Sequence, residues 1–267
     1  MLVSETAHGP RIDTANRAAR EAGANPGMRL ADARALYPQL LAIPSDPAGD
    51  RDTLERLAVW AQRWGPWSAL DPPDGLLVDV TAVAHLFGGE ERLLADVQAA
   101  LARRGFAARA AIAPTVGAAW ALAHYGPERA LVAAQDDILA RLASLPVAAL
   151  RLDDDVLTVL RRLGLKRLGD LGGIGREALA RRFRDRKSPA ANPLVRLDQL
   201  LGWVPEPLLP VVAPDLPLVQ RRLMEPIRHR ALLDRVVEDL TGDMVRELEG
   251  RGQGARRLEL GLWRVDG

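Results

Sequence analysis

The sequence predicts an α+β protein, and three observations carry that prediction. Residues 76–133 alternate short apolar runs with amphipathic stretches in the order strand, helix, strand, helix, strand. After about Ser144 the pattern changes to short helices set around glycine turns. The composition, 48% hydrophobic and 27% charged over 267 residues, is that of a globular chain long enough to bury a core.

The elements follow in order. Residues 16–22 and 30–36 have helical composition and are separated by the turn signal Asn25-Pro26-Gly27, and Pro38 ends the second. Residues 52–64 place Leu54, Leu57, Ala58, Ala61 and Trp64 on one helical face. Asp71-Pro72-Pro73-Asp74-Gly75 is a breaker, and the apolar run 76–80 after it reads as a buried strand. Residues 90–104 form an amphipathic helix through Leu93, Leu94, Val97 and Leu101, stopped by Gly105. Residues 106–113 alternate toward strand, 115–125 are a helix stopped by Gly126-Pro127, and 129–133 are a strand. Short helices are expected over 156–163 and 176–183, a proline-rich linker over 205–217, then a strand (222–227), a long helix (232–249) and a final strand (258–265).

Composition excludes several classes of function. Net charge is +1, so any nucleic-acid surface must be local; residues 151–187 hold 11 Lys or Arg against 6 Asp or Glu. With no cysteine there is no disulfide, thiolate metal site or cysteine nucleophile. No apolar run is long enough for a membrane span, and residues 1–20 lack the order of a signal peptide, so a cytoplasmic protein without membrane contact is expected. Glycine-rich dinucleotide fingerprints, nucleophile elbows and histidine–acid pairs are absent, which argues against a metabolite enzyme.

Four stretches together resemble the Y-family, the translesion DNA polymerases. Thr14-Ala15-Asn16-Arg17-Ala18-Ala19-Arg20, with Gly23 and Pro26-Gly27-Met28, is similar to the fingers segment; Asp74-Gly75-Leu76-Leu77-Val78-Asp79-Val80-Thr81 resembles the palm strand. Residues 112–132 resemble the second palm helix region, and 160–183 the helix-hairpin-helix thumb. Within the family, the stretches 30–36 and 85–90, Leu197-Asp198-Gln199-Leu200-Leu201-Gly202 and Pro205-Glu206-Pro207 resemble the non-catalytic ImuB branch, a group of mutagenesis factors. The resemblance implies fingers plus palm edge at 1–70, a ferredoxin-like palm at 71–143 without its first strand, a helical thumb at 144–204, a linker at 205–217 and a partial little-finger domain at 218–267. The later little-finger strands have no counterpart, which leaves a truncated gene product as one reading.

The resemblance also says what to look for in a site. Two-metal nucleotidyl transfer requires carboxylates that hold two magnesium ions. The family supplies one on the first palm strand, which has no counterpart here, and an Asp-Glu pair that reads Asp74-Gly75. Catalytic residues are therefore not intact, no metal or cofactor is expected, and Mg2+ enters only if the chain is active. Asp74 reads as a turn residue or a residual ligand, and Asp79 as a strand-end hydrogen-bond acceptor. Arg17 and Arg20 are remnants of the family's phosphate-binding pair or a solvated helix face; the family's lysine position holds Gly126. In the thumb, Gly173 and Gly175 precede a helix beginning at Arg176, and with Arg181, Arg182, Arg184 and Lys187 they read as a DNA-phosphate site or a solvated basic face, whereas Asp153-Asp154-Asp155 repel phosphate.

Trp60, Trp64 and Trp67 read as core rather than a base-stacking platform, His85 as structural rather than a metal ligand, and Asp215-Leu216-Pro217-Leu218 only loosely matches a clamp-binding peptide. The expected function is a non-catalytic adaptor in translesion synthesis and damage-induced mutagenesis that binds primer-template or damaged DNA. By resemblance its partners are the sliding clamp, an error-prone C-family polymerase subunit and a RecA-like accessory protein. Alternatives are an active polymerase with a mis-assigned start and a non-functional remnant.

Overall fold

A computed structural model describes residues 1–127, 129–132, 136–212 and 216–262. The chain divides into two compact units, Met1–Val211 and Val212–Gly267.

The first unit opens on a small sheet that sequence patterning did not anticipate. β1 (Leu2–Ser4) pairs antiparallel with β2 (Arg11–Thr14) and parallel with β3 (Ile43–Pro44). Asp13 ties all three together, because its carboxylate accepts from the Ser4 hydroxyl at 2.7 Å and from the Ser45 hydroxyl. Those bonds hold the Asp13 carboxyl below the usual range, the one from Ser45 more than the one from Ser4. Two short helices complete this part, α1 (Arg17–Glu21) and α2 (Leu30–Leu36). Asn16 caps α1 by accepting from the Ala19 amide at 2.9 Å. The core here is small: Ile12, Ala15, Ala19, Ala24, Ala33 and Leu40.

α3 (Pro47–Ala61) begins five residues before the helix that periodicity predicts at 52. Asp46 accepts from the Gly49 amide at 2.9 Å and Pro47 needs no amide donor in the first turn, so the loop-like sequence is a helix start. After a 3-10 turn over Gln62–Trp64 comes a hairpin of β4 (Trp67–Asp71) and β5 (Gly75–Asp79). The strand β4 was not expected from the sequence. Its ladder runs from Trp67↔Asp79 to Asp71↔Gly75. α4 (Glu90–Ala102) carries two glutamates in its first turn, favourable at a helix N-terminus, and buries Leu93, Leu94 and Ala100.

A second pair, β6 (Ala110–Ile112) and β7 (Arg129–Leu131), is parallel and brackets α5 (Val116–Tyr125), so the predicted alternation over 76–133 is observed. Residue 133, the predicted end of the last strand, lies outside the described residues. α5 packs closely on the helical part: a Cβ added at Gly117 would stand 3.0 Å from the Leu200 Cα, and the Thr115 hydroxyl donates to the Leu200 carbonyl at 2.7 Å.

The helical part comprises α6 (Ile138–Leu142), α7 (Asp154–Arg162), α8 (Leu168–Gly172), α9 (Arg176–Arg182) and α10 (Pro193–Leu201). Here lies the largest core, with Leu142, Val147, Leu150, Val156, Leu160, Leu168, Leu171 and Leu200 at most 2% exposed. Each buried leucine is worth about 1.5–3 kcal/mol.

The proline-rich segment after α10 is bound rather than loose as far as Val211. Pro210 bridges to Ala69 of β4, the Val211 amide donates to the Ser68 carbonyl at 2.7 Å, and the Gln62 side chain donates to the Val211 carbonyl at 2.8 Å.

In the second unit the long helix is present as α11 (Arg230–Gly250), and Arg221 pairs with Asp239 and Asp243 at 3.5 and 2.9 Å. Leu233, Val236, Val237, Leu240, Met244 and Leu248 are half-buried along one stripe. The two strands expected there are a correction. No strand forms over 222–227 or 258–262, and 263–265 lie outside the described residues. A segment becomes a strand only with a neighbour to complete its hydrogen bonds, and among the described residues neither has one.

Candidate functional site

The end of the β4–β5 hairpin is where the palm carboxylates were expected. Asp74 lies in the exposed turn between the strands. Gly75 faces Asp71 across the last rung, and a Cβ added there would stand 2.8 Å from both the Asp71 carbonyl oxygen and its Oδ2. Contacts this short do not occur, and one of them is to backbone, so the strand itself would have to shift. Asp71 is itself committed, since the Trp120 indole N–H of α5 donates to its Oδ2 at 2.7 Å. Asp79, at the other end of β5, accepts from the Thr81 hydroxyl at 2.6 Å and the Thr81 amide at 3.0 Å, which keeps its carboxyl below the usual range. This is the strand-end role the sequence suggested. Among the described residues no group of three acidic or histidine side chains stands together as metal ligands. One exposed aspartate and one carboxylate bonded to an indole do not fit a two-magnesium site.

The remaining phosphate candidates lie elsewhere. Arg17 is exposed on α1 and pairs with Glu21 at 2.8 Å; Arg20 donates to the Ala15 carbonyl at 2.9 Å. Gly126 closes α5, where a Cβ would approach the Leu122 carbonyl to 2.7 Å. The Arg109 guanidinium donates to the carbonyls of Ala123 and Gly126, a favourable position for a cation at a helix C-terminus.

The basic residues of the expected phosphate face divide into two sets. Arg176 pairs with Asp198 at 2.8 Å and lies over the Trp203 ring at 4.8 Å. Arg186 pairs with Asp155 at 2.6 Å, and that hydrogen bond is the main reason the Asp155 carboxyl titrates below its usual range. Arg181, Arg182, Arg184 and Lys187 are exposed, and among the described residues no ion pair engages them. Gly175 precedes α9 and Gly173 follows α8. Arg181 and Arg182 flank a shallow groove of about 550 Å³ whose apolar wall includes Leu163, Leu165 and Ile174.

Of the tryptophans, Trp64 is core and donates to Asp96 at 2.8 Å, Trp60 packs edge-on against it, and Trp67 is 57% exposed. His85 is exposed in a 3-10 turn over Ala84–Phe87, away from any metal cluster among the described residues. Asp215 lies outside the described residues.

A charged network absent from the sequence expectations joins the hairpin end to the helical part. Arg151 and Arg196 both donate to Glu206, at 2.6 and 2.8 Å, with all three side chains 14–17% exposed. Burial, then the neighbouring Arg151 charge, push the Arg196 guanidinium down, while Glu206 opposes both. Arg151 adopts a positive φ of 55° and its guanidinium lies 5.4 Å from the centre of the Trp120 ring. The one sequence signal was Pro205-Glu206-Pro207, an acid held by two stiff residues.

The chain is similar to known proteins in both sequence and fold. A family model described as impB/mucB/samB matches residues 1–124. Over 246 residues the chain is 44% identical to "Protein ImuB" from two strains of Caulobacter vibrioides, an alignment covering 92% of this chain and 52% of theirs. The chain thus spans about half the length of these relatives. It is 29% identical over 177 residues to DNA polymerase IV of Ralstonia nicotianae, covering 64% of this chain and 49% of that one. Among solved structures, DinB from Sulfolobus solfataricus matches with a TM-score of 0.60 and 18% identity, over 78% of this chain and 60% of that one. The Dbh DNA polymerase in an insertion ternary complex matches at 0.62 and 18%, over 78% and 61%. The fold is therefore that of the Y-family polymerases.

Proposed function

We propose, from the match of residues 1–124 to the impB/mucB/samB family model, that the protein is a non-catalytic, polymerase-like factor of translesion synthesis and damage-induced mutagenesis that binds DNA. The carrying observation is the contact between Gly75 and Asp71, which leaves no room at position 75 for a second carboxylate beside Asp74. Similarity to ImuB supports the same reading. We assign the fingers with the palm edge to 1–70, the palm to 71–143, the thumb to 144–204, the linker to 205–217 and a partial little-finger domain to 218–267, in a cytoplasmic protein.

DNA engages the exposed Arg181, Arg182, Arg184 and Lys187 through its phosphates, without sequence preference. Gly173, Gly175 and Arg176 position that face. Arg17 and Arg20 are secondary contacts, because their side chains already have intramolecular partners. The partners assigned by resemblance are the sliding clamp, a C-family polymerase subunit and a RecA-like accessory protein.

Primer extension by the purified protein with Mg2+ tests the catalytic half: no extension is expected, and extension abolished by Asp74→Ala would overturn it. Salt-titrated binding to primer-template and to single strands tests the other half. Affinity should fall steeply with salt; a flat response removes the phosphate contacts.

A further inference from the structure

Trp203 is 64% exposed, although its backbone and one face of its ring are fixed. α10 ends at Gly202, whose φ of 77° turns the chain back over the helix end, and the Trp203 amide then donates to the Asp198 carbonyl at 2.9 Å. The Asp198 carboxylate accepts from Arg176 at 2.8 Å, and the Arg176 guanidinium lies 4.8 Å from the centre of a Trp203 ring. Asp198 therefore sets both the backbone of Trp203 and the cation that covers the indole on one side. With that side covered and most of the residue still in water, the other face of the indole is open. Arg176 is also the first residue of α9. Residues 173–187 carry six Lys or Arg against two acids, and Arg182 stands about 9 Å further along the helix than Arg176.

We propose that the open face of Trp203 stacks an unpaired base of the DNA strand whose phosphates α9 holds. The inference rests on the α9 phosphate contacts proposed above. Charge decides between a base and an apolar side chain of a partner protein. A protein segment must bring its own acids to so positive a surface, whereas a nucleic acid brings a phosphate with every flat ring. Bases within a duplex are already stacked on both sides, so the substrate class is single-stranded DNA or an unpaired end. Every base has a flat face to stack, so little sequence preference is expected. The step from Trp203 to the cations at the end of α9 is short: about three stacked nucleotides, at about 3.4 Å each, cover the length of the helix.

Binding of the whole chain to two single strands of about twelve nucleotides and equal charge tests this. One is an oligothymidylate and the other the same sugar-phosphate backbone without bases, each titrated with salt. Both should show the same salt slope, with the thymidine strand bound about fivefold or more tightly, the gain from at least one stacked base. Trp203→Ala should remove that difference and leave the affinity for the baseless strand unchanged, because Asp198 still holds Arg176. Trp203→Phe should keep part of the difference and Trp203→Leu none, which separates stacking from apolar contact. A thymidine strand bound no more tightly than the baseless one overturns this proposal and leaves the phosphate contacts standing. So does an equal loss on both strands in Trp203→Ala, which makes Trp203 a support for Arg176 alone. No binding of either strand at low salt overturns the phosphate contacts and this proposal together.

Discussion

The hairpin end at Asp71–Gly75 and the outer face of α9 hold their charges in opposite states. At the hairpin, Asp71 is fixed by the Trp120 indole and Gly75 is packed against it, leaving Asp74 alone in the turn. On α9 and the turn after it, Arg181, Arg182, Arg184 and Lys187 stand exposed without ion pairs among the described residues, while Arg176 and Arg186 are held by Asp198 and Asp155. A charge bonded to a half-buried donor is committed to the fold. An exposed charge without a partner remains available to something else. On the function proposed above, chemistry and binding are separable: the hairpin carboxylates are committed or alone, and the α9 cations stand exposed.

The sharpest way to break the comparison is at the network that links the two regions. Glu206→Ala leaves Arg151 and Arg196 without their shared acid, and should cost about 3–5 kcal/mol in chemical denaturation. An unchanged midpoint would show that the segment after α10 is not held by this clamp. Next comes Gly75→Glu, which restores a carboxylate in composition only. Contact with Asp71 should destabilise the protein by about 1–3 kcal/mol, with no primer extension. Wild-type stability in that variant would mean position 75 is open.

The α9 face responds in binding rather than folding. Replacing Arg181, Arg182, Arg184 and Lys187 together by alanine should reduce the slope of log affinity against log salt by about 3 to 4, and Arg182→Ala alone by about 1. Stability should stay within about 0.5 kcal/mol of wild type, since all four are exposed and no ion pair engages them among the described residues. The smallest effect is at Asp13. Its folded carboxyl titrates below the ordinary aspartate value, so its contribution is complete above that value and is lost as pH falls through the lowered one. Acid titration should therefore loosen the β1–β3 sheet, with Asp13→Asn flattening that response in amide exchange of residues 2–4 and 11–14.

Much of the fold was legible because helices advertise themselves locally. The Leu93–Leu94–Val97 stripe, Gly105 as a stop and Gly126-Pro127 after the helix at 115–125 need no distant partner to be read. The parts that were missed depend on distant partners. β1 and β2 are short and mixed in character, and become strands only by pairing with each other and with Ile43 some forty residues away. β4 has two tryptophan neighbours that read as helix, yet Ser68 and Ala69 pair with Val78 and Leu77. Conversely, 222–227 was expected as a strand and forms none.

The same division holds for the site. From residue identity alone, Gly75 cannot bind a metal, no cysteine chemistry is available, and the basic excess lies within 151–187. Those are properties of side chains and need no neighbours. Tertiary structure decided which charges were already spent. Asp71 is an acceptor for Trp120, 49 residues away, and Glu206 is the counter-ion of two arginines, one of them 55 residues away. A hydrogen bond depends on distances of a few ångströms between atoms, and contacts across so many residues exist only once the chain has folded.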